Sequence, residues 1–229
     1  MAVLSKSLSA ITLNGKIYYF YQGHDDVGDL RYTVWDGTHK IYCFHQSSDD
    51  SGKLWYNVLD GDQWKGDQQV PKSGLSVGPS AVVFNSNIYV FHQGMGNSGK
   101  LWYDVLNGDR WEGDQQVPRT SLLASPSVVV FDNKIYIFHQ GGGNDGALCY
   151  NVFDGSSWRG DQQVSRTTLS AGPSAIFFNN GIYCFYQGGG NNGELWYDSL
   201  FDGQWTGGTQ PFALQYPQVK HAHYHISGD

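Results

Sequence analysis

The sequence predicts an all-β protein made of repeated antiparallel sheets, on three observations. Short runs rich in Val, Ile, Tyr, Phe and Trp alternate with clusters of Gly, Asn, Asp and Pro, as in strands joined by tight turns. No segment shows a helical period. The same segments return every 47 residues, as Trp64, Trp111, Trp158 and Trp205 illustrate. Because a fixed period sets the architecture of a chain, the repeat decides the fold class.

One repeat contains four strand-like runs. They read W-x-G-D-Q-Q-V-P, P-S-A-V-V-F-N, I-Y-V-F-H-Q-G and G-N-x-G-x-L-W-Y-D-V-L. In residues 88–93 alternate side chains face opposite ways and both faces are mostly apolar, which suits a strand packed between two neighbouring sheets. Four short strands in 47 residues match one blade of a β-propeller.

We expect a single β-propeller domain over residues 1–229, with a partial repeat in 1–39. Four repeats follow at about 40–77, 78–124, 125–171 and 172–218, and residues 219–229 supply a closing strand. One W-x-G-D-Q-Q-V run and the next P-S-A-V-V-F run are missing between Trp35 and Lys40. Dividing 229 by 47 gives about 4.9, which predicts five blades. The alternatives are four full blades plus a partial one, and a homo-oligomer in which a chain completes a blade of its neighbour.

The composition indicates a folded protein with an acidic surface. Aromatic residues are 15% of the 229 residues and charged residues 15%, whereas disordered chains are poor in aromatics and rich in charge. Lys plus Arg number 14 and Asp plus Glu 21, so the net charge is 14 − 21 = −7. This argues against nucleic acid as a partner. No stretch approaches the roughly 18 apolar residues of a membrane-spanning helix, so membrane insertion is not expected either.

The W-x-G-D-Q-Q-V run is the first candidate for a binding site. An exposed Trp covers the apolar face of a sugar ring, and Asp and Gln bond its hydroxyls. The competing interpretation is structural, because a recurring Asp can be buried in a hydrogen-bond network and a recurring Trp can pack between blades. The candidate ligand-binding residues here are Trp64, Asp67, Gln68, Trp111, Asp114, Gln115, Trp158, Asp161, Gln162 and Trp205.

The strand that ends in F-H-Q-G or F-Y-Q-G is the second candidate. Its predicted ligand-binding residues are His92, Gln93, His139, Gln140 and Tyr186. Tyr replaces His at the last of these positions, which indicates an aromatic that can hydrogen-bond rather than a metal ligand or a general base. A buried His with satisfied hydrogen bonds is the competing interpretation.

No catalytic site, cofactor or metal is predicted. The sequence lacks G-x-S-x-G, H-E-x-x-H and P-loop motifs, and its Asp residues recur with the repeat instead of forming one asymmetric cluster. The five Arg lie in turn regions rather than around one substrate carboxylate. His221, His223 and His225 alternate along the expected closing strand and could bind a metal adventitiously, but a terminal strand without a ligand is favoured.

The three cysteines and the N-terminal segment bear on the compartment. Cys43, Cys149 and Cys184 stand where other repeats carry apolar residues or Trp, so we expect reduced thiols in the core. Residues 1–15 lack the apolar core and cleavage site of a secretory signal. We therefore expect cytoplasmic synthesis, which is compatible with later release by another route.

The turn before the L-W-Y strand resembles the Asp-box turn of sialidase-type propellers. Residues 48–55 match S-x-D-x-G-x-x-W, and the later copies drift in sequence. In such a turn an Asp or Asn bonds the amides of its own turn and Gly supplies a positive φ. The motif therefore supports the fold rather than an activity.

With repeats over nearly the whole chain, the sequence resembles the propeller lectins. These include the tachylectin type and the bacterial and fungal lectins that bind fucose or N-acetylglucosamine. The resemblance rests on the 47-residue period, the W-x-G-D-Q-Q-V runs and the G-N-x-G-x-L-W-Y turns. It implies a multivalent lectin with several similar shallow sites, between blades or on one rim, and glycans as partners. Two other functions compete: a protein-binding scaffold in a defence or toxin system and, ranked last, a glycosidase or sialidase-like enzyme.

Overall fold

The computed structural model describes residues 9–13, 16–22, 30–33, 40–47, 51–61, 63–143, 145–190 and 193–210. For the first three ranges and for residues 165–166 it describes the backbone alone. The expected closing strand, with its three His residues, and residues 48–50 of the Asp-box match lie outside the described residues.

The described residues form five antiparallel sheets, labelled I to V in chain order. Sheet I contains β1 (Ser9–Leu13), β2 (Lys16–Gln22) and β3 (Leu30–Thr33). Sheet II contains β4 (Ile41–Gln46), β5 (Lys53–Asp60), β6 (Gln63–Trp64) and β7 (Gln68–Gly74). Sheet III contains β8 (Ser80–Phe84), β9 (Asn87–Gln93), β10 (Lys100–Asn107) and β11 (Arg110–Ser121). Sheet IV contains β12 (Ser127–Phe131), β13 (Lys134–Gln140), β14 (Ala147–Phe153) and β15 (Gln162–Thr168). Sheet V contains β16 (Ser174–Phe178), β17 (Gly181–Gln187), β18 (Leu195–Phe201) and β19 (Gln204–Trp205).

The prediction of an all-β protein with four-stranded sheets is confirmed. Two-residue turns explain why the first two strands of sheets III, IV and V pair so closely. Asn85 and Ser86 join β8 to β9 with φ values of 48° and 63°, a pair of left-handed residues that makes a type I′ hairpin turn. Asp132–Asn133 and Asn179–Asn180 repeat this geometry in sheets IV and V. In the described part of the chain no helix is long and apolar enough to cross a membrane.

Neighbouring sheets share their cores. One apolar cluster joins sheets II and III around Leu54 and Val90, and a second joins sheets III and IV around Phe91 and Ile137. A third joins sheets IV and V. Sheets III and IV are therefore covered on both broad faces by the sheets beside them, as the apolar character of both strand faces predicts.

The first strands of sheets III, IV and V lie side by side at one edge of the array. The backbone amide of Val128 in β12 donates to Ser80 Oγ in β8 at 3.3 Å, and that of Ala175 in β16 donates to Ser127 Oγ at 2.9 Å. The serine at the equivalent position of the repeat thus links sheet III to sheet IV and sheet IV to sheet V. We call this edge inner and the opposite edge, formed by β11 and β15, outer.

Sheets I and II have fewer described strands of the repeat pattern than sheets III to V. The two runs that the sequence lacks between Trp35 and Lys40 predict this difference. Sheet I has three described strands, and β1 lies against β8 of sheet III. Sheet II has no described strand equivalent to β8, and its outer strand is divided into β6 and β7, which both pair with β5. The five sheets fit the expected five blades.

Candidate functional site

A hydroxyl from each of sheets II, III and IV bonds a polar side chain in the third strand of the next sheet. Ser73 Oγ in sheet II donates to Asp104 Oδ2 in sheet III at 2.7 Å. Thr167 Oγ1 in sheet IV donates to Asp198 Oδ2 in sheet V at 2.9 Å. At the junction of sheets III and IV, Asn151 Nδ2 donates to a threonine hydroxyl at 2.7 Å. These buried bonds tie the sheets together.

His92 lies fully buried between two carboxylates of its own sheet. Its Nε2 is 3.2 Å from Asp104 Oδ2 in β10 and 3.4 Å from Asp114 Oδ1 in β11. Burial by itself would lower the pKa of His92, but hydrogen bonds to Asp104 and Asp114 raise the pKa to about 9. The imidazole is therefore a cation at neutral pH and holds the outer strand against the third strand.

His92, Asp104 and Asp114 also offer three ligand atoms within 4.8 Å of one another, a spacing that a metal ion could bridge. The equivalent positions of other sheets do not repeat the set, since Asn151 replaces Asp104 in sheet IV and Tyr186 replaces His92 in sheet V. Those sheets nevertheless make the same bonds to their neighbours. We therefore interpret the cluster as part of the structural network.

The five candidates from the F-H-Q and F-Y-Q strands belong to this network. His139 Nε2 lies 3.1 Å from Asp161 Oδ1, and the Tyr186 hydroxyl donates to Asp198 at 2.8 Å. Gln93 and Gln140 donate their amides to backbone carbonyls of the loop that ends the same sheet. The structure buries four of these residues and half-buries Gln140 within the network, and ligand contact by them stays a prediction: His92, Gln93, His139, Gln140 and Tyr186.

The repeated Trp packs across the junctions and is partly exposed. Trp158 in sheet IV meets Phe91 and Tyr103 of sheet III, with ring centroids 6.1 and 5.6 Å apart. Trp111 and Trp205 make the same contacts with sheets II and IV. All three are half-buried, and Trp64 is 38% exposed. The indoles of Trp111, Trp158 and Trp205 are thus held by aromatic contacts with the neighbouring sheet, while part of each surface is open to solvent.

The Asp and Gln candidates line the outer edge of the sheets. The hydroxyls of Tyr56, Tyr103 and Tyr150 donate to Gln68, Gln115 and Gln162 at 2.9, 2.9 and 3.0 Å. Asp67 and Asp161 are exposed and Asp114 is half-buried; each carboxylate faces the His of its own sheet. The three Gln side chains are exposed.

A cavity of about 280 Å³ lies at the outer end of the junction between sheets III and IV. Its walls are Pro118 and Arg119 from β11 and Trp158, Arg159 and Gly160 from the segment that leads into β15. We call it the III–IV cavity.

The III–IV cavity owes its shape to a bulge in β11. Lys100 pairs with Ser121, but Trp102 pairs with Gln116, so extra residues of β11 loop out between the two pairs. Arg119 lies in this bulge with φ 55°, in the left-handed region. The bulge places Arg119 at the same cavity as Trp158 of the next sheet.

Sequence reasoning missed the cationic wall of the cavity. Lys72, Arg119 and Arg166 follow one another at the 47-residue period, each five residues after the Asp of its repeat. Lys72 has φ 61°, so the bulge of β11 recurs in β7. The 47-residue period relates these three residues and is the signal that predicts them. Their local sequence contains no recognisable motif and looks like a turn.

No protein-family model matches the sequence, and no curated protein matches it. Solved structures resemble the fold. A variant of the Aleuria aurantia lectin in complex with Fucα1-6GlcNAc is 17% identical with a TM-score of 0.62, over 91% of this chain and 79% of that chain. AofleA from Arthrobotrys oligospora is 15% identical with a TM-score of 0.66, over 89% of this chain and 72% of that chain. The GH43_1 enzyme from Xanthomonas citri is 14% identical with a TM-score of 0.50, over 89% of this chain and 81% of that chain.

These likenesses establish the β-propeller fold and confirm the predicted fold class. The Aleuria lectin is described as a six-bladed β-propeller with a novel mode of fucose recognition. Because an enzyme shares the fold with lectins, the fold alone does not separate the two functions. The function has to be argued from the site.

Proposed function

We propose that the protein is a lectin that binds sugars at the junctions between neighbouring sheets. The observation that carries the proposal is the III–IV cavity, which Trp158 of sheet IV and Arg119 of sheet III line together. The fold is that of proteins described as fucose-specific lectins, which supports a glycan as the ligand and a fucose or N-acetylglucosamine type as the first to test.

The III–IV cavity has the size and chemistry for one sugar ring. Its volume of about 280 Å³ is at or below the ~300–1,000 Å³ typical of sites for drug-sized ligands, so a single ring fits and a longer glycan extends into solvent. Trp158 offers an aromatic surface to the C–H face of the ring. Arg119 also lines the cavity, and its guanidinium donates without accepting, so it suits the hydroxyl oxygens of a sugar.

The repeat provides similar sites at two further junctions. In the 47-residue repeat, Lys72 and Trp111 are the equivalents of Arg119 and Trp158 for the junction of sheets II and III, and Arg166 and Trp205 are their equivalents for sheets IV and V. Single sites with dissociation constants of about 10⁻³ to 10⁻⁶ M gain strength when several engage one glycan-coated surface, because the second contact is made at high effective concentration. The protein is therefore proposed to be multivalent.

The competing function, a protein-binding scaffold, gains no support from the burial of the repeated Trp side chains. Full burial of the repeated Trp would favour it, but Trp111 and Trp158 are only half-buried. The enzyme function lacks an observation of its own, since the buried carboxylates of the described sheets are paired within the structural network.

Glycan-array binding and red-cell agglutination test the proposal, followed by calorimetric titration with the monosaccharide that the array selects. We expect binding on the array and about three sites per chain in the titration. The variant Arg119→Ala should remove one site, and Lys72→Ala/Arg119→Ala/Arg166→Ala should lose agglutination. Arg110→Ala is the matched control, since Arg110 is exposed and does not line the cavity. Silence in all assays at high protein concentration, or equal losses in Arg110→Ala, would refute the proposal.

A further inference from the structure

We infer that Asn151, a buried side chain at the junction of sheets III and IV, positions both walls of the III–IV cavity for the sugar. The inference rests on the proposed lectin function and adds a positioning residue to one of its sites. It is carried by a run of hydrogen bonds that leads from the wall of sheet III through Asn151 to the wall of sheet IV.

The oxygen of the Asn151 side chain is bonded to the wall of sheet IV. Asn151 lies in β14 and is fully buried. Its Oδ1 accepts from the backbone amide of Val152 at 2.7 Å and from that of Gly160 at 3.0 Å. Because two N–H donors point at this atom, it is the oxygen of the side chain, and the other end is the NH₂ group. Gly160 lines the cavity, so Asn151 fixes this wall.

The nitrogen of the Asn151 side chain is bonded to the wall of sheet III. Nδ2 donates to the hydroxyl oxygen of Thr120 at 2.7 Å, and Thr120 lies in the bulge of β11 beside Arg119. Since an NH₂ group accepts no hydrogen bond, the Thr120 hydroxyl keeps its own proton, which it donates to the Pro118 carbonyl oxygen at 3.3 Å. Pro118 and Arg119 both line the cavity. Asn151 therefore links the two walls to each other.

The junctions of sheets II–III and IV–V, which we call the sister junctions, have an Asp in place of Asn151. Ser73 donates its hydroxyl proton to Asp104, and Thr167 donates its own to Asp198. A hydroxyl has one proton, so neither can also bond a carbonyl of its own strand. Among the described residues, Oδ1 of each Asp has no hydrogen-bond partner. The walls of the III–IV cavity are thus linked before a sugar arrives, which reduces the cost of ordering them on binding.

Calorimetric titration with methyl α-L-fucoside and with N-acetylglucosamine tests the inference at the binding site that Arg119→Ala removes. Thr120→Val deletes the hydroxyl, and we expect sugar binding at this site to weaken about fivefold or more. Thr120→Ser is the matched control, because it keeps the hydroxyl and installs the residue that sheet II carries as Ser73. It should bind the sugar within about twofold of the wild type.

Asn151→Asp separates positioning from stability. The carboxylate accepts the Thr120 proton, as the Asp residues of the sister junctions accept theirs, so the two sheets stay bonded while the Pro118 carbonyl is released. We expect sugar binding at this site to weaken about fivefold, and the other binding sites to keep their affinity. Because sheets III and V already carry Asp at this position, the melting temperature should stay within about 4 °C of the wild type.

The outcomes separate this inference from the lectin proposal. If Arg119→Ala removes a site but Thr120→Val and Asn151→Asp bind sugar as the wild type does, the inference is overturned and the lectin function stands. Equal losses in Thr120→Ser and Thr120→Val also overturn it, as does an affinity of Asn151→Asp that falls only together with its melting temperature. If the wild-type protein binds no sugar, the lectin function itself fails and the inference fails with it.

Discussion

A Cβ atom at Gly208 would lie 2.9 Å from the hydroxyl oxygen of Tyr186. The other complete repeats carry His and Asp at these two positions, and in sheets II, III and IV the two side chains face each other at 3.4, 3.4 and 3.1 Å. In sheet V the Tyr186 hydroxyl reaches Asp198 directly. The Tyr therefore occupies the space that an Asp would need, which explains why the two positions change together.

This relationship predicts a strong coupling between Tyr186→His and Gly208→Asp. Each single variant should lose about 1–3 kcal/mol of unfolding free energy. Gly208→Asp forces a carboxylate against the Tyr186 hydroxyl. Tyr186→His leaves a void and a His that lacks an Asp at position 208. The double variant restores the His–Asp pair of the other sheets and should recover at least about 1 kcal/mol of the summed loss. Denaturant unfolding of the four proteins measures the cycle, and strictly additive losses would contradict it.

The raised pKa of His92 predicts a loss of stability in mild alkali. The folded-state pKa is about 9 against an ordinary value of 6.5, so the contribution is fully present below pH 6.5 and is lost as pH rises to 9. The difference in unfolding free energy between the wild type and His92→Gln should therefore shrink across this window. Chemical unfolding of both proteins from pH 6 to pH 9.5 provides the measurement. A difference that stays constant would show that His92 does not bind its extra proton in the folded state.

Two glycines in equivalent turns should differ in their tolerance of Ala. Gly99 and Gly146 both have φ 66°, but an added Cβ would lie 3.7 Å from the Leu122 carbonyl oxygen at Gly99 and 2.8 Å from that of Leu169 at Gly146. The left-handed backbone costs both variants about 1–2 kcal/mol. The clash with backbone should make Gly146→Ala clearly the less stable of the two in thermal unfolding. Equal melting temperatures of the two variants would contradict this, since they would mean that the turn at Gly146 shifts to accommodate the added Cβ at no cost.

The three thiols should react in a fixed order. Burial raises the pKa of the Cys43 thiol to about 12 and that of Cys149 to about 11, and it raises the pKa of Cys184 as well. Cys149 is half-exposed and the other two are buried. A thiol reagent at pH 8 should therefore modify Cys149 first and slowly, and the others only on unfolding. The variant Cys149→Ala should lack the first phase; early modification of Cys184 would contradict the packing.

The sequence predicts the fold well because the same pattern of strands and turns recurs in each repeat. The period, the Asn and Asp turns and the apolar strand faces agree, and the burial of Cys43 and Cys184 follows from their place in the repeat. The position of the missing strands also follows from the two runs of the repeat that the sequence lacks between Trp35 and Lys40.

The candidate site is only partly readable from the sequence. A polar residue that recurs in the repeats can stabilise the contacts between sheets as readily as it can bind a ligand. Spacing alone does not reveal that His92 and His139 are buried. The cavity forms between two sheets, so its walls come from residues about 40 positions apart, such as Arg119 and Trp158. The bulge that brings Arg119 there is an irregularity of β11 that the strand pattern does not predict.

A crystal structure of the full chain soaked in a mixture of monosaccharides tests the central claim most directly. The account predicts a sugar ring against Trp158 in the III–IV cavity, with its polar groups bonded to Arg119. Density for a sugar at another face of the sheets, with the III–IV cavity and its sister junctions empty, would contradict it.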